Sequence, residues 1–170
     1  MKSNRIILGL LISILFTNQE VLATCSDVIT ESTPDSRFTT TGDIVIDNTT
    51  GLTWMRCSLG LSWDGADCTG LVTSMGWDTA INTAESTSFA GQDDWRLPNI
   101  KELASIFESA CFSPSINETI FPTTVANKYW SSSPYASHTS FAWIVDFDNG
   151  DNNTSGYSIR HFVRLVRSEE

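Results

Sequence analysis

The oxygen-bearing side chains near the C-terminus are the first candidates for chemistry. Asp146 and Asp148 stand two residues apart, so on a strand they share one face. With Asn149, Asp151 and Asn153 they could ligate calcium, a hard cation that takes oxygen ligands. The spacing is not that of an EF-hand loop, because the closing glutamate is missing. Asp148-Asn149-Gly150-Asp151 is also the composition of a tight turn, and a polar hairpin tip accounts for it without metal. The expectation is therefore no resident cofactor, with calcium as the less favoured alternative.

Two other groupings carry weaker chemistry. Ser131, Ser132 and Ser133 with His138 and Asp146 supply the residue types of a serine hydrolase, but there is no Gly-x-Ser-x-Gly elbow. Such triads are recognised by geometry rather than composition, and His138 reads more simply as a loop residue. Arg96 lies beside Trp95, just before Asn99 and Glu102. Asn99 is a good N-cap, and Glu102 three residues on completes a capping-box pattern. Trp95, Arg96, Asn99 and Glu102 are accordingly read as structural, with Arg96 a buried guanidinium bonded to carbonyls or a carboxylate.

The chain has four cysteines, Cys25, Cys57, Cys68 and Cys111. No C-x-x-C pair is present, which speaks against zinc. An even count suits disulfides. Cys57 and Cys68 bracket a short Gly/Ser/Asp-rich loop, which pairs them, and Cys25–Cys111 follows by elimination. The N-terminus agrees with an oxidising compartment: Lys2 and Arg5 precede an uncharged run from Ile6 to Phe16, and Val21-Leu22-Ala23 forms a small-residue cleavage signal. The run is shorter than the roughly 20 residues a membrane span needs. Residues 1–23 are thus expected to be a signal peptide, with lipidation of Cys25 a minor alternative. The mature chain is expected in the periplasm or outside the cell, without membrane insertion. With 20 acidic against 10 basic residues, it should be repelled by nucleic acid. The one basic cluster, Arg160, His161, Arg164 and Arg167, reads as a strand whose charges face solvent.

The remaining pattern positions these groups. Residues 24–37 read as a tethered polar arm. Ile44 and Ile46, then Asn48-Thr49-Thr50-Gly51, then Leu52 and Trp54, spell a hairpin. Residues 58–76 read as a disulfide-closed loop. Trp77, Ala80, Ile81 and Ala84 predict a helix over 77–85, and Ile100, Leu103, Ile106, Phe107 and Ala110 a second one. Residues 112–128 form a long loop. Strands are expected at 128–132, 141–147 and 158–167. The order is an α+β one, two short helices packed on antiparallel strands.

Three stretches then carry a resemblance: Gly51-Leu-Thr-Trp-Met-Arg-Cys with Trp63-Asp-Gly-Ala-Asp-Cys; Asp94-Trp-Arg-Leu-Pro-Asn-Ile-Lys-Glu-Leu; and Tyr129-Trp-Ser-Ser-Ser with Val163-Arg-Leu-Val-Arg. Together they resemble the domain at the C-terminus of the Legionella collagen-like adhesin, over essentially the whole chain from Phe38. The same blocks are similar to the C-type-lectin-like and sulfatase-modifying fold group. The resemblance implies a C-type-lectin-like domain over residues 38–168. It also implies a non-catalytic, adhesion-type role with a glycan or surface protein as partner; the collagen-like protein itself adheres to sulfated polysaccharide. The chain departs from that protein in having no Gly-X-Y repeat and in being acidic. Neither Glu-Pro-Asn nor Trp-Asn-Asp, the calcium–sugar signatures of C-type lectins, occurs. The site expectation falls on Trp130 and Tyr135 in the loop around 129–135, and on Asp146, Asp148, Asn149, Asp151 and Asn153. The alternatives are a sulfatase-modifying-type oxidase, which would need a reactive cysteine pair, and a structural part of a surface assembly.

Overall fold

The structure, a computed structural model, describes residues 23–168, so the expected signal peptide lies, apart from Ala23, outside the described residues. The turn closed by Gly51 joins β3 (Ile44–Asp47) to β4 (Leu52–Met55), with Val45, rather than Ile44 or Ile46, buried opposite Trp54 and all four β4 residues buried. Preceding it are β1 (Thr24–Cys25), a 3-10 turn at Asp35–Arg37 and β2 (Phe38–Thr41). Residues 58–76, expected as loop, contain three short strands: β5 (Leu61–Trp63), β6 (Cys68–Gly70) and β7 (Ser74–Met75). The Cys57–Cys68 bridge closes the β5–β6 ribbon.

Helix α1 occupies Trp77–Glu85, as its apolar spacing requires, and buries Ala80 and Ala84. Helix α2 begins where the sequence places it, with the Asn99 side chain accepting from Lys101 and Glu102 and the Glu102 carboxylate accepting from the Asn99 N–H. It spans only Ile100–Ser105, not the longer run that the apolar spacing implied. The reason is competition for the backbone: the Glu108 N–H donates to Ser115 O rather than continuing the helix. Strands β8 (Cys111–Phe112), β9 (Lys128–Pro134), β10 (Phe141–Asp146) and β11 (Asp151–Gly156) follow. The expected last strand is two, β12 (His161–Phe162) and β13 (Val166–Ser168).

The strands form a four-stranded sheet, β13-β4-β3-β2, a five-stranded sheet, β11-β10-β9-β12-β7, and the ribbons β1-β8 and β5-β6. Pairing is antiparallel except between β12 and β9. The break in the last strand is what joins the layers: β12 belongs to the larger sheet, β13 to the smaller. One core, around Trp54, Leu103, Phe121, Tyr129 and Phe147, includes α2. The other, around Trp95, Trp130, Ile144, Val163 and Leu165, includes α1. Among the described residues the fold is thus α+β, with two α-helices and mostly antiparallel strands.

The crossing also corrects the reading of the basic cluster as a solvent-facing strand. Arg164 is 1% exposed. Its guanidinium donates to the carbonyls of Met55 and Arg56 and to the hydroxyls of Ser58 and Thr124, and lies over the Phe121 ring. Burial pulls its pKa down to about 10. His161 is buried against Trp130, Arg167 pairs with Asp94 at 2.7 Å, and only Arg160 is exposed. Four basic residues in sequence therefore make no basic patch.

One carboxylate gathers several hydrogen bonds from the N-terminal arm. Glu108, 2% exposed, accepts hydrogen bonds from Ser32 N (2.9 Å), Thr33 N (2.6 Å), the Thr33 hydroxyl (2.7 Å) and Ala110 N (2.8 Å). Burial alone would raise its pKa, but these donors outweigh it and hold the carboxyl below the ordinary glutamate range. A depressed pKa in the folded state means that the unfolded chain binds the extra proton first. The stabilisation is therefore complete above the unfolded-state pKa and is lost as pH falls through the folded one. Glu108→Gln should cost about 2–3 kcal/mol at neutral pH, as expected for hydrogen bonds to a charged acceptor. In urea melts across pH, the variant should lose part of the acid-side decline; an unchanged decline would mean Glu108 does not drive it.

Candidate functional site

The structure separates the residues expected to share a site. Trp130 is fully buried, its Nε1 donating to Met75 O at 2.8 Å, and it cannot touch a ligand from there. Tyr135 sits in the turn after β9, edge-to-face with Trp143 at 5.4 Å. The Asp146–Asn153 hairpin lies at the other end of the same strands, since Asp146 pairs with Lys128 and Ala142 with Pro134. At about 3.3 Å per residue, these two places are well over 10 Å apart. His138 is separated from Asp146 in the same way, while Ser131 sits in mid-strand with its hydroxyl spent on Trp143 O.

The hairpin tip is internally satisfied. Asp146 Oδ1 accepts from Asp148 N, Asn149 donates to Asp151 Oδ2, and the Asn149 side chain accepts from Asp151 N. Asn153 accepts from the next residue's N–H. Among the described residues no three His, Cys, Asp or Glu side chains are grouped to hold a metal ion. The exposed carboxylates are screened by physiological salt, so the hairpin needs no cation to persist. Melts with calcium, magnesium or chelator at matched ionic strength are expected to coincide. A shift of several degrees specific to calcium would make the tip a metal site.

The tip instead braces a loop. Asp148 Oδ1 accepts the Ser113 hydroxyl at 2.5 Å, while its carbonyl accepts from Ser113 N and the Ser115 hydroxyl. Gly150, at φ 82°, lets the turn lie flat on Phe107; a Cβ there would come within 1.8 Å of that ring. The braced segment, 113–126, forms one wall of an open cleft of about 630 Å³. The opposite wall is the Ala66-Asp67 turn of the β5–β6 ribbon, held by the Cys57–Cys68 bridge. A hydrogen bond from the Thr123 hydroxyl to Asp67 Oδ1 ties the walls together. Behind the cleft, Thr124 receives the buried Arg164 guanidinium and Val125 N donates to the Tyr129 hydroxyl.

Charge in the cleft is one-signed. Among the described residues, Asp67 and Glu118 line it and no Lys, Arg or His does. Burial, then the Asp67 charge, push the Glu118 carboxyl above its ordinary range, against a hydrogen bond from Ala23 N at 2.5 Å. Sequence reading missed this cleft because its walls are joined only in three dimensions. The one local signal was the pair of prolines, Pro114 and Pro122, in a segment without period.

Trp95, Arg96, Asn99 and Glu102 stand together at the start of α2. Trp95 is 2% exposed and donates to Phe89 O. Arg96 meets Glu102 in a two-pronged pair at 2.7 and 2.8 Å, but is partly exposed rather than buried. The blocks that place these residues, with the Trp130 strand and the crossing at Val163–Arg167, are spread over the whole folded unit, and a family described as Lcl C-terminal domain matches residues 43–167. The chain belongs to that family. The Lcl C-terminal domain match takes in both sheets from β3 and every described wall of the cleft, and leaves out the arm up to Gly42. A search of the curated proteins finds no match. Both disulfides, Cys25–Cys111 and Cys57–Cys68, are formed, and among the described residues there is no free cysteine. Among the described residues no helix is long and apolar enough to cross a membrane. The disulfides are those of a domain outside the cytoplasm.

Proposed function

We propose that this chain is an exported, non-catalytic binding domain of the adhesion type, and that it holds a glycan or a segment of a surface protein in the cleft between residues 113–126 and the β5–β6 ribbon. The observation that carries this reading is the cleft itself: about 630 Å³, open, within the size range of ligand sites, and walled by segments pinned through a disulfide and the Ser113–Asp148 brace. Pinned loops pay less ordering entropy on binding, which favours recognition. Membership of the Lcl C-terminal domain family supports the adhesion-type role, through the resemblance to the collagen-like adhesin.

The test is a glycan and surface-protein array probed with the wild type and with Ala126→Trp, which fills the cleft from its rim. Ligands captured by the wild type should be lost by the variant at unchanged melting temperature. Capture unaffected by Ala126→Trp would move the site elsewhere. The oxidase alternative requires a reduced cysteine, and thiol titration of the unreduced native protein is expected to find none.

A further inference from the structure

We infer that the cleft recognises an organic ammonium group, seated between the carboxylates of Asp67 and Glu118 while its carbon skeleton lies on the apolar wall. This rests on the cleft being the binding site. The two carboxylates are the cleft's charged groups, and they face one interaction with each other that a cation would reverse from repulsive to attractive. Each keeps one oxygen free for a ligand: among the described residues, Asp67 is hydrogen-bonded through Oδ1 only and Glu118 through Oε2 only. The hydrogen bond described on Glu118 comes from Ala23, the last residue of the expected signal peptide, so cleavage there would open both Glu118 oxygens to a ligand.

The rest of the lining selects the kind of cation. A calcium ion asks for about six to eight oxygen ligands, and Pro114, Pro122, Val125 and Ala126 offer carbon instead. A carbon skeleton bearing one ammonium satisfies both halves of the cleft. Apolar surface receives the ring or chain, and the charge-assisted hydrogen bonds fall at one end. Amino sugars with a free amine and lysine side chains share this chemistry. An anionic or sulfated ligand does not suit it, because it would bring negative charge to two carboxylates.

The test titrates the full chain, by calorimetry, with a glucosamine oligomer, its N-acetylated counterpart and a blocked lysine amide. The free-amine oligomer or the lysine amide should bind, and whichever binds names the source. The N-acetylated oligomer, which has no charge, should bind at least tenfold more weakly. Glu118→Gln and Asp67→Asn, each checked for an unchanged fold by melting, should each weaken the amine ligand by about tenfold and flatten its dependence on salt. Equal binding of acetylated and free-amine oligomers, unmoved by Glu118→Gln but lost in Ala126→Trp, would overturn the ammonium and leave the cleft as the site. Binding that survives Ala126→Trp would overturn both. No binding of either amine probe would overturn the ammonium reading as well.

Discussion

Trp130→Ala is expected to destabilise the fold by about 3–5 kcal/mol, the range for truncating a buried large aromatic. Domains of this size are stable by about 5–15 kcal/mol, so the variant should sit near the edge of folding. Three terms combine. The side chain is fully buried within the core that α1 covers, among Ile144, Val163 and Leu165. Its Nε1 satisfies Met75 O, which would be left without its donor. Its ring packs edge-on against His161 at 4.6 Å, and that histidine is itself buried with burial lowering its pKa. An enlarged, wetter pocket there would ease protonation of His161 and so lessen the acid-side loss of stability that its lowered pKa brings. Urea unfolding at neutral pH measures the effect. A loss below about 1 kcal/mol would mean the ring is replaceable by water or by its neighbours, and a surface role for Trp130 would return.

Local signals were legible where local physics decides. The capping box at Asn99 and Glu102 sets the start of α2 whatever surrounds it, and the spacing of Trp77, Ala80 and Ala84 sets α1. The short bridge followed from its own loop. What sequence could not show is where a distant segment takes over a backbone group. Helix α2 stops at Ser105 and its continuation is lost where Ser115 O claims the Glu108 amide, although the apolar spacing continues to Ala110. Phe141, Trp143, Val145 and Phe147 alternate along the strand expected at 141–147, a spacing that would put them on one face. A register shift between Ala142 and Ile144 leaves Phe141 and Trp143 half-exposed but buries Val145 and Phe147. Arg164 looked like a surface charge because its partners, two carbonyls and two hydroxyls, leave no mark in composition.

The site was legible only in part for the same reason. The acidic tip was visible as a run, yet Asp148 acts on Ser113, 35 residues away. Asp67 and Glu118 carry no motif between them. They meet because one lies on a disulfide-closed turn and the other on a loop held from the opposite side by the tip. The polar hairpin read as a candidate ligand site also supports the cleft wall through Ser113 and Ser115.

Removing the long bridge with Cys25→Ala and Cys111→Ala is expected to cost about 4.5 kcal/mol by chain-entropy reasoning, against about 3 for the short one. The half-cystines are 86 residues apart, against 11 for Cys57–Cys68. The loss should fall mainly on the unfolded state, because the folded arm has anchors of its own. Strand β1 pairs with β8, Glu108 gathers Ser32 and Thr33, and Asn117 donates to Thr33 O and Asp35. Two mechanisms give opposite results when the bridge variant is combined with Glu108→Gln. If the bridge restrains the unfolded chain while Glu108 holds the native arm, the two costs add to within about 0.5 kcal/mol. If the bridge acts by holding the arm in place, its loss already frees the arm and Glu108→Gln costs little more. Urea midpoints of the four proteins, taken at neutral pH with m-values compared, separate the cases. Additivity is the expected result. Marked sub-additivity would make the arm, rather than chain entropy, the source of the bridge's contribution.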